Sequence, residues 1–241
     1  MIEAGDRVLL IGNSRAYYVT AGEGMLSTDL GMIPLSDLIG REGGDQVVTH
    51  LGTGFSVRIP RPTDFFVHAK RSGAPMHPKD IGSVIAYTGM NKKDHVLDAG
   101  TGSGVAAIFF GSIAASVTTY EQRPEFAKLA EKNLQDAALD NVTVVAADML
   151  TATGTYDVIN LDMQITPEHI QHAATLLKPG GYLACYTPFL EHLFLVLDTA
   201  KNLFSEVVTH ELIEREMTRT DRGTRPSTRV CHTGYITIAR R

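Results

Sequence analysis

The stretch His95-Val96-Leu97-Asp98-Ala99-Gly100-Thr101-Gly102-Ser103-Gly104 constrains this chain more than any other. Val96 and Leu97 are apolar and β-favouring and read as a short buried strand. Gly100, Gly102 and Gly104 follow at every second position, which lets the backbone turn tightly and a ligand come close. The apolar run from Val105 to Ala115 then reads as a helix. A strand, a glycine turn and a helix form a ligand cradle in many α/β folds; a turn that binds nothing is the alternative.

The spacing differs from the G-x-G-x-x-G dinucleotide fingerprint. Asp98 also stands at the strand end, where a carboxylate repels pyrophosphate but suits an ammonium group. S-adenosylmethionine (SAM) carries an ammonium and a sulfonium and fits such a turn better than NAD.

From His95 onward, strands and helices alternate. Strands are expected at 95–99, 116–121, 142–146, 156–162, 182–186, 206–214 and 232–239. Helices are expected from Pro78 to Gly89, Pro124 to Ala137, Thr166 to Leu177 and Leu190 to Leu203. This pattern predicts an α/β fold with a seven-stranded, mostly parallel sheet; together with the SAM-suited glycine turn it is read as a Rossmann-like SAM methyltransferase fold. Ligands bind outside the carboxyl ends of such strands, and four acids fall there: Asp98, Glu121, Asp148 and Asp162. Glu121, 23 residues after Asp98, suits the hydroxyls of a ribose. Asp148 suits the exocyclic amine of adenine. Asp162, in Asn160-Leu161-Asp162-Met163, is placed to accept a hydrogen bond from an amine beside an attacking nitrogen. Methyl transfer needs in-line approach and electrostatic support more than a strong base. The expected cofactor set is Asp98, Gly100, Thr101, Gly102, Ser103, Gly104, Glu121, Gln122, Asp148 and Met149.

Residues 1–70 read as short strands separated by turn residues: Arg7–Ile11, Ala16–Thr20, Met25–Leu30, Gln46–Leu51 and Phe55–Ile59. They predict a small all-β domain, barrel-like or sandwich-like, ahead of the catalytic domain at 71–241. Composition does not separate a module that contacts RNA from one that only packs on its neighbour. The net charge of −5 argues mildly against a general nucleic-acid binder. Two cysteines, Cys185 and Cys231, fit a reducing, cytoplasmic setting and offer no metal spacing. His169 and His172 share a helix with no third ligand nearby, so they read as a solvated face. No segment reads as a signal peptide or membrane span.

With these residues in hand, the chain resembles the tRNA (adenine-N1)-methyltransferases that act at position 58 of the T-loop, in their single-chain archaeal form. The resemblance runs from about Arg71 onward. It rests on His77-Pro78-Lys79-Asp80, the glycine turn, Leu177-Lys178-Pro179-Gly180-Gly181, and the tail from Arg225-Pro226 through His232-Thr233-Gly234-Tyr235. The sequence departs from the family at His77, where Tyr is frequent, at Met163–Pro167, which lacks a Trp, and at Cys231, where Gly is usual. The resemblance implies SAM as methyl donor and tRNA as partner, modified at adenosine 58 with 57 as a further target. It also implies a homotetramer, Asp162 at the target base, and substrate contacts from His77, Lys79, Arg225 and His232. Arg215, Arg219, Arg222, Arg225 and Arg229 fit a grip on tRNA phosphates, although charge pattern alone favours a solvated hairpin. A small-molecule methyltransferase, such as one for a corrinoid precursor, and a non-catalytic RNA-binding partner subunit are the competing readings.

Overall fold

The computed structural model describes residues 1–241 apart from Asn13, Ser14, Ser72, Arg229 and Val230. The first strands are β1 (Arg7–Gly12), β2 (Arg15–Thr20), β3 (Met25–Thr28), β4 (Gly31–Pro34), β5 (Gln46–Val48) and β6 (Gly54–Arg58). They form an antiparallel sheet in the order β2-β1-β6-β5 and a separate β3–β4 hairpin. Among the described residues the edges β2 and β5 do not pair with each other, so the sheet is open there. In β6, Phe55 and Val57 point inward while Gly54 and Arg58 stay exposed, the period of two expected of a half-buried strand. Their core partners include Val8, Leu10, Ile33 and Val47. The expected single run from Met25 to Leu30 instead turns at Asp29-Leu30 and returns as β4.

Helix α1 (Pro62–His68) follows. Its Phe65, with Ala69 just beyond it, packs on Ala107, Ile108 and Leu134 of the larger domain. A second link joins the Arg7 guanidinium to Asp136 at 2.9 Å.

The larger domain runs α2 (Pro78–Thr88), β7 (His95–Ala99), α3 (Val105–Gly111), β8 (Ser116–Tyr120), α4 (Pro124–Asp136), β9 (Val142–Val145), β10 (Tyr156–Leu161), α5 (Pro167–Leu176), β11 (Leu177–Thr187) and α6 (Leu190–Ala200). It ends with β12 (Glu206–Glu211), β13 (Met217–Thr220), β14 (Gly223–Pro226) and β15 (Tyr235–Arg240). Seven strands make one sheet, β12-β15-β11-β10-β7-β8-β9, and only β15 runs against the rest. Helices cover both faces. Ile170, Ala173, Val196 and Ala200 of α5 and α6 pack on one. Ile81 and Val84 of α2 pack on the other with Val105 and Phe110 of α3.

Several boundaries differ from expectation: β12 ends at Glu211 rather than Glu214, β15 begins at Tyr235 rather than His232, and α3 and α6 end early, at Gly111 and Ala200. β11 starts at Leu177, and Lys178-Pro179-Gly180-Gly181 lies inside the strand as a bulge, between the pairs Tyr156↔Leu177 and Val158↔Tyr182. The chain fills one flank of the sheet from β7 through β8 to β9, then crosses back to place β10 beside β7. That reversal opens a crevice at the carboxyl ends of β7 and β10.

Candidate active site

The crevice begins where β7 and β10 end side by side. The Asp162 N–H donates to the Ala99 carbonyl at 2.8 Å, which brings the residue after β10 against the glycine turn. Gly100 has φ +91°, and a Cβ there would run into the Asp162 carbonyl. Gly102 has φ +54° and a Cβ position that meets only the Gly100 carbonyl, at 3.8 Å, so the turn presents bare backbone to whatever fills the crevice.

Glu121 fixes the turn from the next strand. It accepts from the Gly102 N–H at 2.9 Å and from Arg123 Nε at 2.8 Å. Burial works to raise the Glu121 pKa, but the Arg123 guanidinium and the Gly102 and Arg123 N–H groups outweigh it and hold the carboxyl below the usual range. Asp148 lies past β9. Its Oδ1 accepts from the Leu150 N–H at 2.8 Å, and its Oδ2 from Gln122 Nε2 at 2.6 Å.

Two adjoining cavities meet at Asp162. One of about 580 Å³ is lined by Gly100, Glu121, Gln122, Met149, Asp162 and His169. One of about 280 Å³ is lined by Met76, Thr101, Gly102, Ser103 and Phe126, and shares Gly100, Arg123 and Asp162 with the first. The Asp162 carboxylate has no hydrogen-bond partner among the described residues. Burial, with the Asp98 and Asp80 carboxylates nearby, pushes its pKa up to about 7.

Asp98, expected to meet the ligand, is enclosed by the fold. It is 1% exposed, and its oxygens accept from Thr119 Oγ1 at 2.7 Å and Asn160 Nδ2 at 2.8 Å. It lines neither cavity. Burial pushes its pKa up despite those two donors. Asp98 therefore holds three strand ends together, and an ammonium group has no route to it in this arrangement.

The residues around the crevice fit SAM. Bare backbone, the Glu121 carboxylate and an apolar wall from Tyr120, Ala147 and Met149 surround two adjoining spaces. Two buried polar atoms there, Ser103 Oγ and His169 Nε2, have no protein partner.

Comparison with known proteins agrees. Residues 90–223 match the methyltransferase domain family. The tRNA (adenine(57)-N(1)/adenine(58)-N(1))-methyltransferase TrmI of Methanocaldococcus jannaschii is 32% identical, the match covering 99% of this chain and 92% of that one. The chain belongs to the tRNA (adenine-N1)-methyltransferase family. Two crystal structures extend the likeness over the whole length, small β domain included. The tRNA (m1A58) methyltransferase TrmI of Aquifex aeolicus has a TM-score of 0.80 at 23% identity, covering 99% of this chain and 98% of that one. A SAM-dependent O-methyltransferase of Thermotoga maritima has a TM-score of 0.86 at 28% identity, covering 100% and 94%.

The motifs that carry the family resemblance meet each other rather than the crevice. Lys79 Nζ donates to Asp80 Oδ1 at 2.7 Å, to the Leu212 carbonyl at 2.9 Å and to Thr233 Oγ1 at 2.6 Å. All three donors of Lys79, expected to contact substrate, are occupied inside the protein. Thr233 Oγ1 in turn donates to Asp80 Oδ2 at 2.7 Å, and Tyr186 donates to the Thr233 carbonyl at 2.7 Å. This clasp fastens the tail to α2. His77 precedes α2 with its ring 5.4 Å from that of Phe66. His232 pairs with Glu211 at 2.8 Å. Neither lines the two cavities.

Gly104 sits behind the turn against Ala130 and also lines neither cavity. Arg225 lies on the exposed β13–β14 hairpin. It faces Thr218 while Arg219 faces Thr224, so the two arginines occupy opposite faces of the ribbon. Arg229 lies outside the described residues.

Four residues escaped the sequence reading. Arg123 borders both cavities, and Thr119 and Asn160 hold Asp98. His169 is buried at the crevice rather than part of a solvated face, because α5 turns that side toward the sheet. Asn160 was the most readable of the four: a polar residue in an apolar strand whose register sets it opposite Asp98.

Proposed function

We propose that the chain is a SAM-dependent methyltransferase that places a methyl group on N1 of adenosine in tRNA, at position 58 of the T-loop with 57 as a further target. The observation that carries this reading is Asp162: a carboxylate without a protein partner where two cavities join. Gly100, Thr101, Gly102 and Ser103 hold the cofactor with Glu121, Gln122, Asp148 and Met149. When bound, SAM supplies a methyl group on a positively charged sulfur.

Asp162 accepts a hydrogen bond from the exocyclic amine of the target adenine. That contact orients the base and feeds electron density toward N1. Transfer to N1 would leave the electron pair of the carbon–sulfur bond on the departing sulfur. The base becomes cationic, and the adjacent carboxylate stabilises that charge in a partly water-excluded site. No proton has to leave during the step, so the Asp162 carboxylate serves as an electrostatic partner.

His77 and His232 flank the route by which RNA reaches the crevice, and the exposed arginines of the β13–β14 hairpin meet its phosphates. Exposed Phe189, Leu190 and Phe194 near the start of α6 suit contacts between copies in a homotetramer. No helix among the described residues is long and apolar enough to cross a membrane, in keeping with work on tRNA in the cytoplasm. The test is one incubation of protein, SAM and unmodified tRNA transcript, with the RNA digested and its nucleosides read by mass. 1-Methyladenosine at position 58 is expected. Bound SAM without any methylated nucleoside would overturn the RNA substrate.

A further inference from the structure

His169 is 6% exposed and lines the larger cavity, yet its Nε2 is buried without a partner. Its other nitrogen decides where the proton sits. Nδ1 accepts from the Thr166 backbone N–H at 3.0 Å and lies 2.9 Å from the Thr166 hydroxyl. A nitrogen that accepts an N–H bond carries no proton of its own, so the neutral ring bears its hydrogen on Nε2. A buried N–H without an acceptor is costly and rare in a folded protein.

The nearest acidic atom is Asp148 Oδ1, 3.7 Å from Nε2, beyond hydrogen-bond reach. The Asp148 oxygens already accept from Leu150 and Gln122. His169 on the crevice wall thus sets a fixed donor beside an acceptor, Asp148, which itself lines neither cavity. Adenine offers the complement: an amine that donates, next to a ring nitrogen that accepts. An amide side chain reads the same adjacent pair when it recognises adenine.

We propose that His169 Nε2–H and Asp148 together read the adenine of the cofactor, with His169 donating to the ring nitrogen beside the amine. The inference rests on the SAM reading above and assigns a donor to the adenine ring nitrogen beside the amine.

The test is calorimetric binding of S-adenosylhomocysteine and of its 1-deaza and 7-deaza analogues, which replace a ring nitrogen with C–H. The wild type is expected to bind one of the two analogues roughly tenfold more weakly than the parent, the loss of about one hydrogen bond. His169→Asn keeps an oxygen able to accept from Thr166 and removes the ring donor. It is expected to bind the parent roughly tenfold more weakly than wild type does and to bind that analogue no more weakly than the parent. His169→Gln, judged by the same criteria, serves if His169→Asn does not fold.

Wild-type discrimination that persists in the variant would overturn the proposal. So would a variant that binds the parent as tightly as wild type, or a wild type that distinguishes neither analogue. A wild type that binds no S-adenosylhomocysteine would overturn the SAM reading beneath it, a separate and recognisable failure.

Discussion

The end of β7 and the end of β10 lie side by side and each carries an aspartate, but the two have opposite fates. Asp98 is enclosed with a donor on each oxygen. Asp162, one residue past β10, has no donor and faces open space. A carboxylate at a strand end is therefore not a binding group by position alone. The neighbouring strands decide, through the donors they bring: where Thr119 and Asn160 arrive, the charge serves the fold, and where none arrives it is left unpaired at the crevice.

Asp162→Ala tests the second half of this contrast most directly. Turnover on tRNA is expected to fall by roughly 10²–10³-fold, the scale for losing one preorganised electrostatic contact. The dissociation constant for S-adenosylhomocysteine, measured by calorimetry, is expected to stay within twofold, roughly the scatter of uninvolved substitutions. Equal loss in both would place Asp162 in cofactor binding instead.

Asp98→Ala tests the first half. It strips the partner from two buried groups at roughly 1–3 kcal/mol each, so unfolding in denaturant should show a loss of about 3 kcal/mol. An unchanged midpoint would mean that the enclosed aspartate holds nothing.

The pH dependence sharpens the comparison further. With the Asp162 pKa pushed up to about 7, the carboxylate is lost as pH falls through 7, and kcat should fall with it. The Asp98 and Asp80 charges help raise that pKa, so Asp80→Asn should move the midpoint of the profile to lower pH. Stability takes the opposite sign. A raised carboxyl pKa favours the folded state fully below the unfolded value of 3.8, and that advantage disappears as pH rises toward 7. Asp162→Asn should therefore raise Tm at pH 8 and leave it nearly unchanged at pH 4. A flat kcat profile from pH 6 to 8 would show that Asp162 does not titrate there.

The smallest effect belongs to the solvent-facing hairpin. Arg225→Ala should raise KM for tRNA by a few-fold, leave cofactor affinity alone and reduce the salt slope of RNA binding by about one. No change in slope would remove Arg225 from the RNA contact.

The sheet, the helices and the crevice were readable in the sequence because local patterns specify them. The β7 glycine turn, the apolar face of α2 and each successive element of the αβ alternation are written in short local stretches. What the sequence did not reveal depends on contacts made across the chain. Lys79 looked like a free cation in its motif, and only its approach to Leu212 and Thr233 occupies it. His169 looked solvated until α5 met the sheet. The β3–β4 hairpin was missed because only Gly31 and Ile33 are buried in the returning strand, too short a run to register as periodic.

The clasp between α2 and the tail has a consequence for anyone screening variants of this enzyme. Thr233 and Lys79 are separated by 153 intervening positions, yet they complete one hydrogen-bonded unit. In a saturation screen they should behave as a single locus with Asp80. Loss of any one member should give the same phenotype, and double losses should add little to single ones, since the second substitution removes contacts the first has already broken. A map of epistasis would thus recover a piece of the tertiary structure that neither motif discloses alone.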